Sequence, residues 1–356
     1  MAAGTPVRPG NTNTYLLAHQ KGLIVDFSRN PDSFPLNQYC KVIPVDKEYG
    51  AYLRFGIDGG LPEEAARVVS TLMSDTVWNP GSELHDGNDF GEMFQYADYK
   101  TERHAMPFIV PYEVGEQAPW NVFDDHARRA TANMMTRRTV EAITKITTTG
   151  NHLSTHYSAV SSISGVTGKW DVSTVSRQDI RRSIHYACDL INLDTLGVVQ
   201  QKDLILVMSK GCAQKVARSQ EIIDYLKSQE GSPAVIEGKA FDSGNYDMPS
   251  MLYGVKVVIE DTVKVTSARG ATRAASRVLA DATPFIVSRP GGVEGNANSQ
   301  ESASCSLGMF VYNKQELAVE QEDDSWNKRT KGKVVDNRIA QVIAPATAFL
   351  FTAAVS

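Results

Sequence analysis

Cysteine is scarce in this chain: four residues in 356, Cys40, Cys188, Cys212 and Cys305, with no C-x-x-C pair among them. That argues against a disulfide scaffold and against the usual zinc spacings. Each cysteine sits in or beside an apolar segment, so the four read as reduced core residues. No run of 18 apolar residues exists to cross a membrane, and the start, MAAGTPVRPGNTNTY, has neither the basic lead nor the apolar stretch of a secretion signal. Catalytic fingerprints are missing too. G-x-S-x-G, G-x-x-x-x-G-K-[ST] and G-x-G-x-x-G do not occur, which removes the nucleophile elbow, the P-loop and the dinucleotide turn. Nor is there a basic excess: 36 Lys and Arg against 41 Asp and Glu leave a net charge of -5. A dedicated nucleic-acid binder would carry the opposite sign, so only weak, non-specific contact with DNA stays open.

What is present is a globular composition, 42% hydrophobic and 22% charged, and one long stretch free of Pro and Gly, Trp120 to Thr149. It predicts a single helix from about Asn121 to Thr147, with Asn121 as N-cap, Asp124 and Asp125 in the first turn and Gly150 closing the end. The apolar stripe is thin (Phe123, Ala127, Ala130, Met134, then Met135, Ala142, Ile143, Ile146), and Arg128, Arg129, Arg137 and Arg138 point several ways around the rod. A helix polar on most faces meets solvent or partners other than its own core.

Around this helix the chain is uneven. Residues 1 to 47 hold five prolines and predict an extended arm with one short apolar run, Leu23 to Phe27. From Glu48 to Lys100 the pattern stays irregular, with a short helix expected at Pro62 to Met73 and a projecting acidic loop or hairpin carrying Glu83, Asp86, Asp89 and Glu92. His104 to Val114 reads as a strand that Pro107 and Pro111 confine to a sheet edge. A second region opens with a helix signalled by a Ser176/Asp179 capping box and apolar Ile180, Ile184, Ala187, Cys188 and Ile191. A buried strand follows at Leu204 to Met208, a helix at Gly211 to Lys227, and strands at Leu252 to Ile259, Phe285 to Ser288 and Ser306 to Tyr312. Val265 to Ala280, with Arg269, Arg273 and Arg277 four apart, would align three cations if helical. Strands at Arg338 to Ile343 and Ala346 to Val355 end the chain, and the whole is α+β or α/β.

The sharpest catalytic candidate is His152-Leu-Ser-Thr-His156, two imidazoles four apart. It lacks the glutamate of H-E-x-x-H and lies beyond the helix-ending Gly150, so surface or interface histidines are the expected reading and a soluble hydrolase with a His152/His156 site the alternative. No cofactor or metal is expected.

The order of parts carries a resemblance: an arm, an acidic loop, YKTERHAMPFIVPYEVGEQAPW entering the long helix, KDLILVMSKGCAQKVARSQEIIDYLK, MLYGVKVVIED, and the ending APATAFLFTAAVS. This resembles the major capsid proteins of tailed double-stranded DNA phages, the Hong Kong 97-type fold. It implies an α+β fold with an N-terminal arm (1–47), an E-loop (48–103), a P-domain (104–160) with a spine helix (121–149), an A-domain (161–312), P-domain return strands (313–343) and a C-terminal strand (344–356). It implies no enzyme but a shell of hexamers and pentamers around the genome, located in the virion and assembled in the host cytoplasm. The implied partners are a separate scaffolding protein, a portal and a decoration protein; a cellular encapsulin-like compartment is the alternative shell. Glu83, Asp86, Asp89 and Glu92 of one subunit are expected to meet Arg128, Arg129, Arg137 and Arg138 of the next.

Overall fold

The computed structural model describes residues 29–55, 94–118, 120–195, 199–228, 248–268, 270–289 and 305–356, with Pro80 and Gly197. The Leu23 to Phe27 run and the helix expected at Pro62 to Met73 lie outside these residues.

Behind Phe34, one helical turn, Leu36–Tyr39 (α1), buries Leu36 and Tyr39 and leads into strand Lys41–Val45 (β1). The last part of the expected arm is therefore built into the core. Tyr49–Phe55 (β2) and Phe94–Lys100 (β3) pair antiparallel from Tyr49↔Lys100 to Phe55↔Phe94; Glu83, Asp86, Asp89 and Glu92, expected on a projecting loop, lie between them and outside the described residues. Glu102–Pro111 (β4) then runs into a short helix, Tyr112–Gln117 (α2), where the sequence suggested only strand; Pro111 ends the strand and starts the turn.

The long helix is Val122–Thr147 (α3), and the Asn121 side chain accepts the N–H groups of Phe123 and Asp124. Five threonines along it, Thr131, Thr136, Thr139, Thr144 and Thr147, each return their hydroxyl to the carbonyl four residues back. Residues that usually compete with helical hydrogen bonds are here satisfied within the helix.

Beyond Tyr157–Ala159 (β5) comes Asp179–Asp194 (α4), whose buried Ile180, Ile184, Ala187, Cys188 and Ile191 are the expected stripe. Its cap differs from the expected one. Gln178 occupies the N-cap position in the left-handed region and the Ser176/Asp179 box does not form. The carboxylate of Glu221 accepts the N–H of Ile180 (3.1 Å) and Arg181 (3.0 Å), and Ser173 Oγ accepts that of Asp179.

Glu221 reaches α4 because the expected 211–227 helix is two, Lys210–Ala217 (α5) and Gln220–Ser228 (α6), broken at Arg218 and Ser219. Leu204–Ser209 (β6) precedes them. Met251–Leu252 (β7) and Val255–Glu260 (β8) form a hairpin over Tyr253 and Gly254, both with positive φ.

Val263–Val265 (β9) and Ala275–Arg277 (β10) are a second hairpin, not the helix that would have aligned three arginines. The β-branched valines favour strand, and Gly270, at φ +89°, turns the chain. Arg277 bonds to Asp281, Arg273 faces a groove described below, and Arg269 lies outside the described residues.

The remaining strands are Phe285–Ser288 (β11), Leu307–Tyr312 (β12), Ala318–Asp324 (β13), Arg329–Val342 (β14) and Phe349–Thr352 (β15). Two sheets result. One has the order β5-β15-β11-β6-β8-β7; the other is β1-β12-β14-β13, with β4 on the opposite side of β14. β4 pairs only with β14 among the described residues, so Pro107 and Pro111 sit on an open edge where a missing N–H costs nothing. Both faces of the first sheet are covered: Leu204, Leu206 and Met208 face α4 and α5, while Ile205 and Val207 face Tyr39, Ile143 and Ile146. Its strands are consequently apolar without alternation. All four cysteines are free and buried; burial pushes the Cys188 thiol up to about 12 and that of Cys305 to about 11.

Candidate functional site

Between α3 and the β9/β10 hairpin lies a groove of about 1280 Å³. One wall is the outer face of α3, with Arg129, Arg137 and Lys145; the other carries Lys264 and Arg273. Its floor is β4 and the β14 residues Arg338 and Ile339. Arg29, at one end, pairs with Asp261 at 2.8 Å. Apart from the buried Arg338, six cations line the groove against three carboxylates, Glu102, Glu141 and Asp261. A channel with this excess is electrostatically suited to a negatively charged chain segment.

The groove's back is held by a buried charge cluster that the sequence reading missed. Asp336, fully buried, accepts Arg138 Nε at 2.8 Å and Nη2 at 2.5 Å, and also bonds Arg338 Nη1. Arg338 Nε reaches Glu141 at 3.1 Å, and the same carboxylate accepts the N–H of Ala340. Burial alone would raise the Asp336 carboxyl; the two guanidiniums outweigh it and hold its pKa below the usual range. The cluster fastens α3 to β14. Of the four arginines expected at a contact, Arg138 is 3% exposed and paired within its own chain. Arg128, Arg129 and Arg137 are exposed, and of these Arg129 and Arg137 line the groove. Glu83, Asp86, Asp89 and Glu92 lie outside the described residues.

The β2–β3 hairpin is clamped at its base. Tyr99 stacks on Phe310 with ring centroids 4.7 Å apart, and Tyr52 packs on the same ring at 5.1 Å. Glu48 accepts Arg103 Nε at 2.9 Å and Asn337 Nδ2 at 3.0 Å, and its carbonyl accepts the N–H of Thr101. The hairpin thus leaves the sheet from a fixed origin.

The two histidines do not share a helix. A 3-10 turn, Thr149–Asn151, follows α3; His152 Nε2 then sits 2.5 Å from the Ile146 carbonyl oxygen, and His156 Nε2 is 3.5 Å from the Asp194 carboxylate. Among the described residues no three His, Cys, Asp or Glu gather as a metal site. Burial lowers the pKa of both rings. As pH falls through about 6.5, the unfolded chain therefore takes up protons before the folded one. The stability these neutral rings contribute is complete above about pH 6.5 and is lost progressively below it. Urea unfolding at pH 7.5 and 5.5 should show a lower midpoint at the acid pH, and a smaller drop in His152→Gln/His156→Gln.

Neither a protein-family description nor a curated protein sequence matches this chain. Solved structures do match in fold. A phage-related protein from Bordetella bronchiseptica RB50 superposes with a TM-score of 0.60 at 17% identity, over 96% of this chain and 97% of that one. The capsid of cyanophage P-SCSP1u gives 0.53 at 11% identity over 94% and 91%. The mature capsid of bacteriophage PhiM1 gives 0.52 at 12% over 93% and 89%. The fold is the Hong Kong 97-type capsid fold. The match runs the length of the chain, so the long helix, the two sheets and the hairpin stem belong to one capsid-type subunit fold.

Proposed function

We propose that this chain is a major capsid protein, a structural and non-enzymatic subunit that self-assembles into a closed shell around a double-stranded DNA phage genome. The observation that carries the reading is the near whole-length correspondence of its fold with two phage capsid proteins and a phage-related protein. In this reading β2 and β3 are the stem of the E-loop, α3 with the β14 sheet is the P-domain, and the sheet around β6 is the A-domain. The subunits group as hexamers and pentamers in the virion, after assembly in the host cytoplasm. A scaffolding protein, a portal and a decoration protein are the further partners, with non-specific contact to packaged DNA.

The groove supplies a specific test. Glu83, Asp86, Asp89 and Glu92 of one subunit's E-loop are assigned to the cations of a neighbour, chiefly Arg129 and Arg137, with Arg128 outside the groove in support. Exposed pairs contribute only about 0.2–1 kcal/mol each, but a shell repeats them at every contact. Asp86→Lys/Asp89→Lys should fold with unchanged thermal stability and yet form few shells, as counted by electron microscopy. Combining it with Arg129→Glu/Arg137→Glu should restore part of the yield. Normal shells from the double reversal would rule this contact out.

A further inference from the structure

The β13–β14 hairpin ends in Ser325, Trp326, Asn327 and Lys328, and Trp326 is 93% exposed, the most exposed of the large hydrophobic side chains described. Its setting is rigid. The Asp324 carboxylate accepts the N–H (3.3 Å) and Nδ2 (2.9 Å) of Asn327, Arg329 Nε (3.0 Å) and Lys331 Nζ (2.9 Å). The Lys328 carbonyl accepts the N–H of Tyr112 at 2.9 Å. An indole held out in water by a stapled turn gives up little conformational entropy on docking, which is what an interface anchor requires.

A receptor for it lies on the same end of the same chain. Between α2 and the start of α3 is an open cleft of about 600 Å³, with Tyr112, Trp120, Val122 and Phe123 as apolar wall and Glu116, Asp124, Gln321 and Thr330 as polar rim. That volume is within the range of small-ligand pockets and large enough for an indole. The exposed carboxylates Glu113, Glu116 and Asp124 stand on the two helices that form it, and the exposed Lys328 flanks Trp326. The cation beside the knob is thus opposite in charge to the carboxylates beside the socket. The knob cannot fill its own socket while Asp324 and Lys328 hold the turn as it is, since Trp326 remains in solvent there.

We propose that Trp326 is the anchor of a contact between copies of this chain, seated in the neighbour's socket between α2 and α3. Each copy offers one knob and one socket, so the contact can repeat around a closed ring. The inference rests on the shell reading only in requiring that copies meet.

The test uses the full chain. Trp326→Ala removes the knob. Gly115→Leu narrows the socket: Gly115 lines it, and a Cβ there meets nothing within 4 Å, so the larger residue can be introduced without a clash at its first side-chain atom. Both variants should match wild type in circular dichroism and thermal midpoint, and both should need at least tenfold more protein to form particles that sediment as shells. In wild type, iodide quenching of tryptophan fluorescence should fall on assembly. Particles from Trp326→Ala at wild-type concentration would overturn the anchor, and normal assembly of Gly115→Leu would overturn the socket. A wild type that stays monomeric at every concentration would overturn both this contact and the shell reading. Small oligomers in wild type, lost in Trp326→Ala, would sink the shell reading while keeping the contact.

Discussion

Asp336→Ala should destabilise the subunit by about 3–5 kcal/mol, because it leaves Arg138 and Arg338 buried without their shared carboxylate. For most domains that is a large part of the total stability, so the variant is expected to appear largely insoluble or to unfold at much lower urea. The cause can be isolated. Removing the charges together, as in Asp336→Leu/Arg138→Met/Arg338→Leu with Glu141→Gln so that no carboxylate is left without its cation, should recover most of the loss, since a buried ion cluster is often no more stabilising than apolar residues of similar volume. Urea midpoints of the three proteins at pH 7.5 decide the matter. An Asp336→Ala protein as stable as wild type would mean that the cluster does not fasten α3 to β14.

Trp170→Ala should cost a similar amount, about 3–5 kcal/mol. The ring is fully buried, lies edge-on to Phe351 at 5.0 Å, and donates Nε1–H to Ser183 Oγ at 2.8 Å. Its backbone N–H holds the Ala354 carbonyl, so the same residue docks the end of the chain, where Ala354 and Val355 are buried in this core. Truncation leaves that backbone bond in place but opens a cavity beneath the C-terminal segment and removes the ring contact with Phe351. Besides the lowered urea midpoint, faster hydrogen exchange across Phe349–Thr352 is expected; exchange unchanged there would separate the cavity from the docking.

The parts that could be read from sequence are those where local chemistry and tertiary need agree. The long helix has its cap at Asn121, no breaker for 26 residues and acids at its positive end, so its limits were visible. Leu204–Ser209 was visible because a strand covered on both faces has no polar position to hide it. Two of the failures share one cause, a partner distant in sequence. Ser176 and Asp179 have the spacing of a capping box, but Glu221, some forty residues on, takes the amides. Arg138 looks like its neighbours Arg128, Arg129 and Arg137, and only the fold brings Asp336 to it. From residue pattern β14 is legible only at its apolar end, Arg338 to Ile343; its first half, RTKGKVVDN, is charged on the exposed side of a sheet flanked by β4 and β13 and enters only through the return strands (313–343) that the resemblance implies. The three arginines spaced by four suggested a helix, yet Gly270 and the flanking valines make a hairpin. Of the candidate contact, the sequence singled out the arginines but not Trp326, whose exposure depends on a turn held by Asp324.

The most direct test is electron microscopy of the purified full-length chain, alone and with nuclease-resistant nucleic acid measured in the same preparation. The capsid reading predicts closed, uniform shells built of hexamers and pentamers, with DNA inside when they come from infected cells. Monomers or discrete small oligomers at every concentration would contradict it, and shells filled with protein cargo and no DNA would place the chain in a cellular compartment instead of a virus.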